Sequence, residues 1–495
     1  MLGHKVKRFK EYPAVSLESL VPQKNFYRHV EAKLDLSFVR ELVKENYAAT
    51  LGRPSIDPVV FFKLQLIMFF EGIRSERKLM EMVSLNLAHR WYIGYDLDEP
   101  VPNHSALSKI RTRYGLEVFQ CFFEKVVELC IQAKLVWGKE LYFDGTKVQA
   151  NADIDTMVPR FYWEAKQHLD SLFAQDQKTG AISTTQPIQL APPQTNGTPR
   201  GFEEKYSGER IPTHRHHWYE RLTDAQVSTT DPDATPMKGS NSDKAVLGYH
   251  DHYVVDGGKA RIILAVLVTP ASIMDNSPML DLERWVRFRW HLQPRLAVGD
   301  TKYGTVTNIA GLEQDGIRAY LPTSNFSDRT TFYSLDRFRY NTERDLFICP
   351  QGQELPLYKR SYSELEFVYR ANRDICNVCP VKAECTASKS GRYLRRSFFQ
   401  EYLDRATAYR QTEAYKKAIR KRQVWVEPLF GEAKQWHGLR RFRLRRLWKV
   451  NIEGVLIAAG QNLKRFLSRN GWGKRHFPGD CNVALALPEL PLLLF

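Results

Sequence analysis

Residues 139–152 read KELYFDGTKVQANA, and residues 294–305 read PRLAVGDTKYGT. In each, a short apolar run leads to an aspartate: Leu141, Tyr142 and Phe143 to Asp144, and Leu296, Ala297 and Val298 to Asp300. Such runs predict buried strands. An aspartate at the end of a buried strand has its backbone fixed by the sheet, while its carboxylate stands at the edge of the core. That is a good mount for a hard divalent cation such as Mg²⁺, which prefers oxygen ligands. A third carboxylate, Glu427, lies in RQVWVEPLFGEAK, residues 422–434. The chain holds 56 acidic residues, and a lone strand-end aspartate is commonly a turn residue or helix N-cap. The three become candidates through their shared setting, two at strand ends and one in a basic segment. Glu432 rivals Glu427, but a regular helix places it about 140° away, so only one of the two can face a given site.

The segments between these carboxylates give the expected fold. AVLGYHDHYVVDGGKARIILAVLVTPAS predicts a β-hairpin turning at Asp256-Gly257-Gly258. A helix over NSPMLDLERWVRFRWH follows, then the Asp300 strand, a helix over VTNIAGLEQDG and a strand over IRAYLP. This order, three antiparallel strands followed by βα units, is that of an α/β, RNase H-like mixed sheet flanked by helices. In that fold the first and fourth strands are neighbours, so Asp144 and Asp300 are expected to meet.

Residues 1–135 are expected to form a helical N-terminal DNA-binding domain, with Pro58 at a helix start and Ser75 and Ser105 as N-caps. An oligomerisation bundle is the alternative on pattern alone. The core is expected over 136–159 (first strand), 244–325 and 401–470 (basic helices with Glu427). Residues 160–243 read as an irregular insertion or linker with a short helix near WEAKQHLDSLF, 326–400 as a Cys-containing insertion and 471–495 as a tail.

Formal net charge is +16 over 495 residues, with a pI of about 9.4. A chain this basic is expected to meet a polyanion, nucleic acid first. With 43% hydrophobic and 12% aromatic residues, most of it should pack into cores. The apolar run VVFFKLQLIMFF at 59–70 is broken by Lys63 and is too short to span a membrane. The expected location is cytoplasmic and nucleoid-associated, with no membrane partner. Seven cysteines in a chain of this length do not make a disulfide scaffold.

Together these residues resemble a DDE transposase of bacterial insertion sequences. RPSIDPVVFFKLQLIMFFEGIRSERKLMEMVSLNLAHRWYIGYDL resembles the InsH-type N-terminal domain. YFDGTKVQANA and VGDTKYGT resemble the first and second catalytic motifs. Glu427, with Lys434 seven positions on, resembles the last block. That family usually has an Arg four positions before the Glu; here the position is Gln423, with Arg422 beside it. The resemblance implies Asp144, Asp300 and Glu427 as catalytic residues holding two Mg²⁺ ions. It implies cleavage at element ends and strand transfer into target DNA. The partners would be double-stranded terminal inverted repeats and target DNA, bound by a homodimer or higher assembly. The rival functions are an RNase H-like nuclease or resolvase without strand transfer, and a catalytically inactive DNA-binding regulator.

Residues 415–449 hold twelve Lys or Arg against two acidic residues. Leu439, Phe442, Leu444, Leu447 and Trp448 interleave with arginines, predicting a helix with one packed face. Lys434, Arg440, Arg441, Arg443, Arg445 and Arg446 are therefore the expected DNA contacts. Cys349, Cys376, Cys379 and Cys385 form a C-x26-C-x2-C-x5-C pattern, a candidate Zn²⁺ site. His214, His216 and His217 read as polar surface or a phosphate contact. His250 and His252 alternate on a strand and share a face.

Overall fold

The computed structural model describes residues 2–9, 15–48, 55–179, 226–238, 244–323 and 331–472. The cluster of His214, His216 and His217, and the tail beyond Trp472, lie outside them. Two compact units emerge, one of residues 1–133 with 459–495, the other of residues 134–458.

The first unit is helical. Its central helix, Pro58–Phe70, is capped by Asp57, whose carboxylate accepts the Val59 amide, and is buried on almost every side. A helix apolar all round belongs in the middle of a bundle. Phe62 stacks on Phe122 with ring centroids 4.5 Å apart. Lys63 is buried but satisfied, bonding the Tyr92 carbonyl at 2.9 Å and Glu31 at 2.7 Å. Ser75 caps Glu76–Leu85 as expected. Ser105 does not cap: Asn103 does, for the long helix His104–Gln132, which kinks at Gly115. The unit also takes in the end of the chain's last helix. Gly460 lies so close to Phe69 that an added Cβ would meet the ring at 2.5 Å. No helix among the described residues is long and apolar enough to cross a membrane.

The second unit is built on a six-stranded mixed sheet. Strand Glu140–Gln149 pairs antiparallel with Ala245–Asp256 on one side and parallel with Leu296–Val298 on the other. Ala245–Asp256 continues into its hairpin partner Ile263–Pro270, and Leu296–Val298 pairs parallel with Arg318–Tyr320. Sequence places the turn and the order of these strands correctly. Two readings need correction. The Asp144 strand does not end at Asp144 but runs on to Gln149, because Gly145–Gln149 keep pairing with Gly248–His252. Within 160–243 the expected helix is present, over Arg160–Thr179, but an unexpected strand, Thr235–Lys238, joins the main sheet beside Ala245–Asp256.

The central strand Ala245–Asp256 is buried without a break from Leu247 onward rather than at alternate residues, as in a strand covered on both faces. Helix Met279–Trp290 buries Leu282 and Val286 and donates the Trp290 indole N–H to the Leu264 carbonyl at 3.0 Å. Elsewhere Phe430 of helix Glu427–Trp436 stacks on Tyr253 at 4.3 Å. Asn451 closes the outer edge of Ile263–Pro270, accepting the Val268 N–H and donating to its carbonyl, each at 2.9 Å. An edge strand capped in this way cannot pair with another chain there.

Between the last core strand and the Glu427 helix, the Cys-containing stretch forms its own antiparallel sheet. Its strand order is Tyr393–Ser397, Glu366–Arg370, Glu354–Ser361, Leu346–Ile348, Arg339–Asn341.

Candidate functional site

The sheet register brings the two aspartates together. Tyr142 pairs with Val298 in the parallel ladder, so Asp144 and Asp300 each lie two residues beyond the same rung. Asp144 stays within its strand, opposite Tyr253, and its carboxylate is largely buried. The Gly145 N–H donates to Asp144 Oδ1 at 3.0 Å. Asp300 has left its strand and caps the short turn Thr301–Tyr303, accepting the Lys302 amide at 2.9 Å. Gly299 permits this exit, since a Cβ there would meet Tyr303 and Leu321 at 2.9 Å.

Glu427 is the first residue of its helix, with Pro428 in the opening turn. Proline fits there because the first helical N–H groups need no partner. The preceding helix, Glu413–Trp425, carries Arg422 in its last turn. The Arg422 guanidinium reaches Asp144 Oδ2 at 3.2 Å and Glu427 Oε1 at 3.4 Å. Burial pushes the Asp144 carboxyl up to about 6; Arg422 and the Gly145 N–H oppose this, while Asp300 and Glu427 add to it. Desolvation therefore outweighs the ion pair, and both Asp300 and Glu427 act on Asp144. Glu432 instead faces His437, 3.6 Å away.

Lys434, at the far end of the Glu427 helix, is half-buried. Burial pulls its ammonium below the ordinary value, Arg440 adds to this, and Asp144 and Asp251 oppose it. Sequence reasoning missed Asp251. It pairs with Thr146 across the ladder and so shares the sheet face of Asp144. It is fully buried, and neither carboxylate oxygen has a hydrogen-bond partner. Its only signal was position: two residues from Tyr253 on a strand whose every face is covered. Arg422 was noticed only as a departure from a motif.

His250 and His252 lie on the opposite face. His252 donates to or accepts from Thr269 Oγ1 at 2.9 Å, and burial drives its pKa down to about 3, keeping it neutral. His250 sits 3.0 Å from Asp275, which also bonds Lys302.

The arginine segment departs from its expected helix. Gly438, at φ +75°, ends the Glu427 helix, and the chain then extends along the end of the Asp144 strand. The Gln149 N–H donates to the Arg440 carbonyl at 3.1 Å, and Phe442 donates back to Gln149 at 2.8 Å. Leu439 and Phe442 are buried as expected, but in an extended loop. Arg440, Arg441 and Arg445 are exposed and Arg446 partly so. Arg441 and Arg445 bond Asn151. Arg443 is turned inward, where burial lowers its pKa and Glu453 raises it.

As placed, no three His, Cys, Asp or Glu side chains among the described residues gather tightly enough to hold a metal ion. The chemistry of the donors nonetheless fits one at the carboxylates. Negative charge concentrates there enough to oppose ionisation of Asp144, and a cationic side chain stands between Asp144 and Glu427. Oxygen donors of this kind suit Mg²⁺.

Residues 15–113 match the family described as Transposase domain (DUF772), and residues 348–467 match the family described as Transposase DDE domain. The first lies in the helical unit. The second runs from the Cys-containing sheet through Glu427 into the last helix and does not reach Asp144 or Asp300. No curated protein matches the chain. The chain thus carries a transposase domain near each end, consistent with a DDE transposase of the insertion-sequence type, and the DDE domain supports an enzyme that acts on DNA.

Proposed function

We propose that Asp144, Asp300 and Glu427 together form the catalytic centre of an RNase H-like domain. There the protein cleaves DNA at insertion-sequence ends and joins the freed 3′-ends to target DNA. The observation that carries this reading is the Arg422 bridge between Asp144 and Glu427, beside Asp300. The sheet order also supports it, with the strand of Asp144 adjacent to the strand that leads to Asp300. Two Mg²⁺ ions, held by the three carboxylates, would activate a water or 3′-hydroxyl and steady the leaving oxygen of a phosphodiester. Arg422 balances the charge of Asp144 and Glu427 in the metal-free protein and would yield its place where they held a metal. Lys434 holds a phosphate next to them, and the exposed arginines of the 439–446 loop track the DNA backbone. Two DNA ends enter one reaction, so the working form is a homodimer or larger assembly.

The test is to incubate the full-length protein with Mg²⁺, duplexes carrying the element's terminal repeats, and target DNA, then map the strands. Nicks at the repeat ends with joined products are expected. Nicks without joining would make the protein a nuclease or resolvase. Binding with neither would make it a DNA-binding regulator.

A further inference from the structure

The four cysteines of the inserted sheet take no part in the carboxylate site. They come from separate segments. Cys349 follows strand Leu346–Ile348, Cys376 lies in the short helix Arg373–Asn377, Cys379 follows that helix, and Cys385 ends the short helix Lys382–Cys385. All four line one cavity. They are free thiols, not disulfides. Cys385 is buried, and each of the other three lies near enough to act on it electrostatically.

The backbone around them is already turned for ligation. At Cys349, Gly352 takes φ +76° and donates its N–H to the Cys349 carbonyl at 2.9 Å. The Gln353 N–H donates to Cys349 Sγ at 3.3 Å. At the second corner, Cys379 donates to the Cys376 carbonyl and Lys382 to that of Cys379. The nearby cations are committed elsewhere: Lys382 bonds Asn377 and the Ser388 carbonyl, and Arg392 bonds the carbonyls of Cys385 and Tyr333. The sulfurs as placed are not drawn to ligating distance; a cysteine side chain turns among staggered positions about a single bond.

The module also has a reason to need a cross-link. Its buried core is Phe338, Phe347, Leu355, Tyr369, Ala371, Cys385 and Leu394, with Cys349 and Cys376 packed at the rim. So few residues bury little apolar surface, and modules of this size commonly rely on a disulfide or a structural metal. A donor set of four thiols is soft and selects zinc over the hard cations suited to carboxylates. We propose that Cys349, Cys376, Cys379 and Cys385 hold one structural Zn²⁺ that ties the two corners of this sheet together.

The test uses the full-length protein. Elemental analysis should find one zinc per chain. Exchange with Co²⁺ should give the visible absorption of a tetrahedral thiolate site. Cys376→Ser with Cys379→Ser should lose both, whereas Cys121→Ser, in the helical unit, should keep both. Should the double variant fail to fold, thiol titration of the wild type decides: four more thiols should react after chelation than before. Absence of zinc together with no Co²⁺ spectrum, metal retained in the double variant, or a thiol count unchanged by chelator would each overturn the site.

Discussion

Arg422 stands 3.2 Å from Asp144, close enough for a charge-assisted bond, yet the Asp144 carboxyl is still pushed up to about 6. The ion pair does not repay the burial. A second, stronger cation at this place would therefore be favoured, and the same guanidinium already spans to Glu427.

The first prediction follows from that substitution of one cation for another. Arg422→Ala leaves Asp144 and Glu427 without their shared partner and should destabilise the metal-free protein by about 1–3 kcal/mol. Added Mg²⁺ should then raise the melting temperature of the variant more than that of wild type. Thermal unfolding with and without Mg²⁺ measures both. An equal or smaller rise in the variant would mean that Arg422 does not stand where a metal binds.

The second prediction separates the carboxylates. Asp144→Ala, Asp300→Ala and Glu427→Ala should each lower strand cleavage by roughly 10³-fold or more, the equivalent of several kcal/mol of lost transition-state stabilisation. Glu432→Ala should stay close to wild type, since Glu432 faces His437 rather than Asp144. DNA affinity should hold in all four, because cationic side chains supply most of it. Cleavage and gel-shift assays on one preparation decide, and an inactive Glu432→Ala with an active Glu427→Ala would reverse the assignment.

These carboxylates were legible because buried strands flanked by helices appear as unbroken apolar runs, and the runs before Asp144 and Asp300 are such cases. Asp256-Gly257-Gly258 marked the hairpin equally well. The far half of the Asp144 strand was hidden because Gly145, Thr146 and Lys147 are only partly buried and carry no apolar signal. The inserted sheet escaped for the same reason: Glu354–Ser361 and Tyr393–Ser397 are mostly exposed and polar. The arginine loop misled in the other direction. Leu439 and Phe442 fall at helical spacing, but Gly438 and the bonds to Gln149 draw the chain out straight.

A third prediction concerns pH. Glu283 is wholly buried in helix Met279–Trp290, 3.6 Å from Arg287, and neither of its oxygens has a hydrogen-bond partner. Burial raises its carboxyl from 4.5 to about 7; Arg287 and Arg284 oppose this and Asp315 adds to it. The folded state thus holds its proton more tightly than the unfolded chain. Stability should fall as pH rises from 4.5 towards 7, by an amount on the order of 2–3 kcal/mol from this group. Glu283→Gln removes that contribution. Its melting temperature should exceed that of wild type at pH 8, with a smaller difference at pH 5. A variant that follows the wild type at both pH values would show that Glu283 does not titrate in this way.

The last prediction divides the arginines of the 439–446 loop. Arg440 and Arg445 are exposed, whereas Arg443 is turned inward beside Glu453, whose carboxylate also accepts the Arg443 and Leu444 amides at 3.0–3.1 Å. A side chain that bonds a phosphate releases counterions on binding, so its loss should lower the slope of log affinity against log salt by about 1. Arg440→Ala and Arg445→Ala should each do so, weakening binding to repeat and random duplexes alike and leaving the melting temperature nearly unchanged. Arg443→Ala should do the opposite. It should keep the salt slope but lower stability by about 1–3 kcal/mol, because Glu453 loses its charged partner in a partly buried place. Titration of duplex DNA at several salt concentrations, together with thermal unfolding, reads both effects. If Arg443→Ala lowered the slope while Arg440→Ala and Arg445→Ala did not, the loop would meet DNA through its other side, and the inward placement of Arg443 would not describe the bound form.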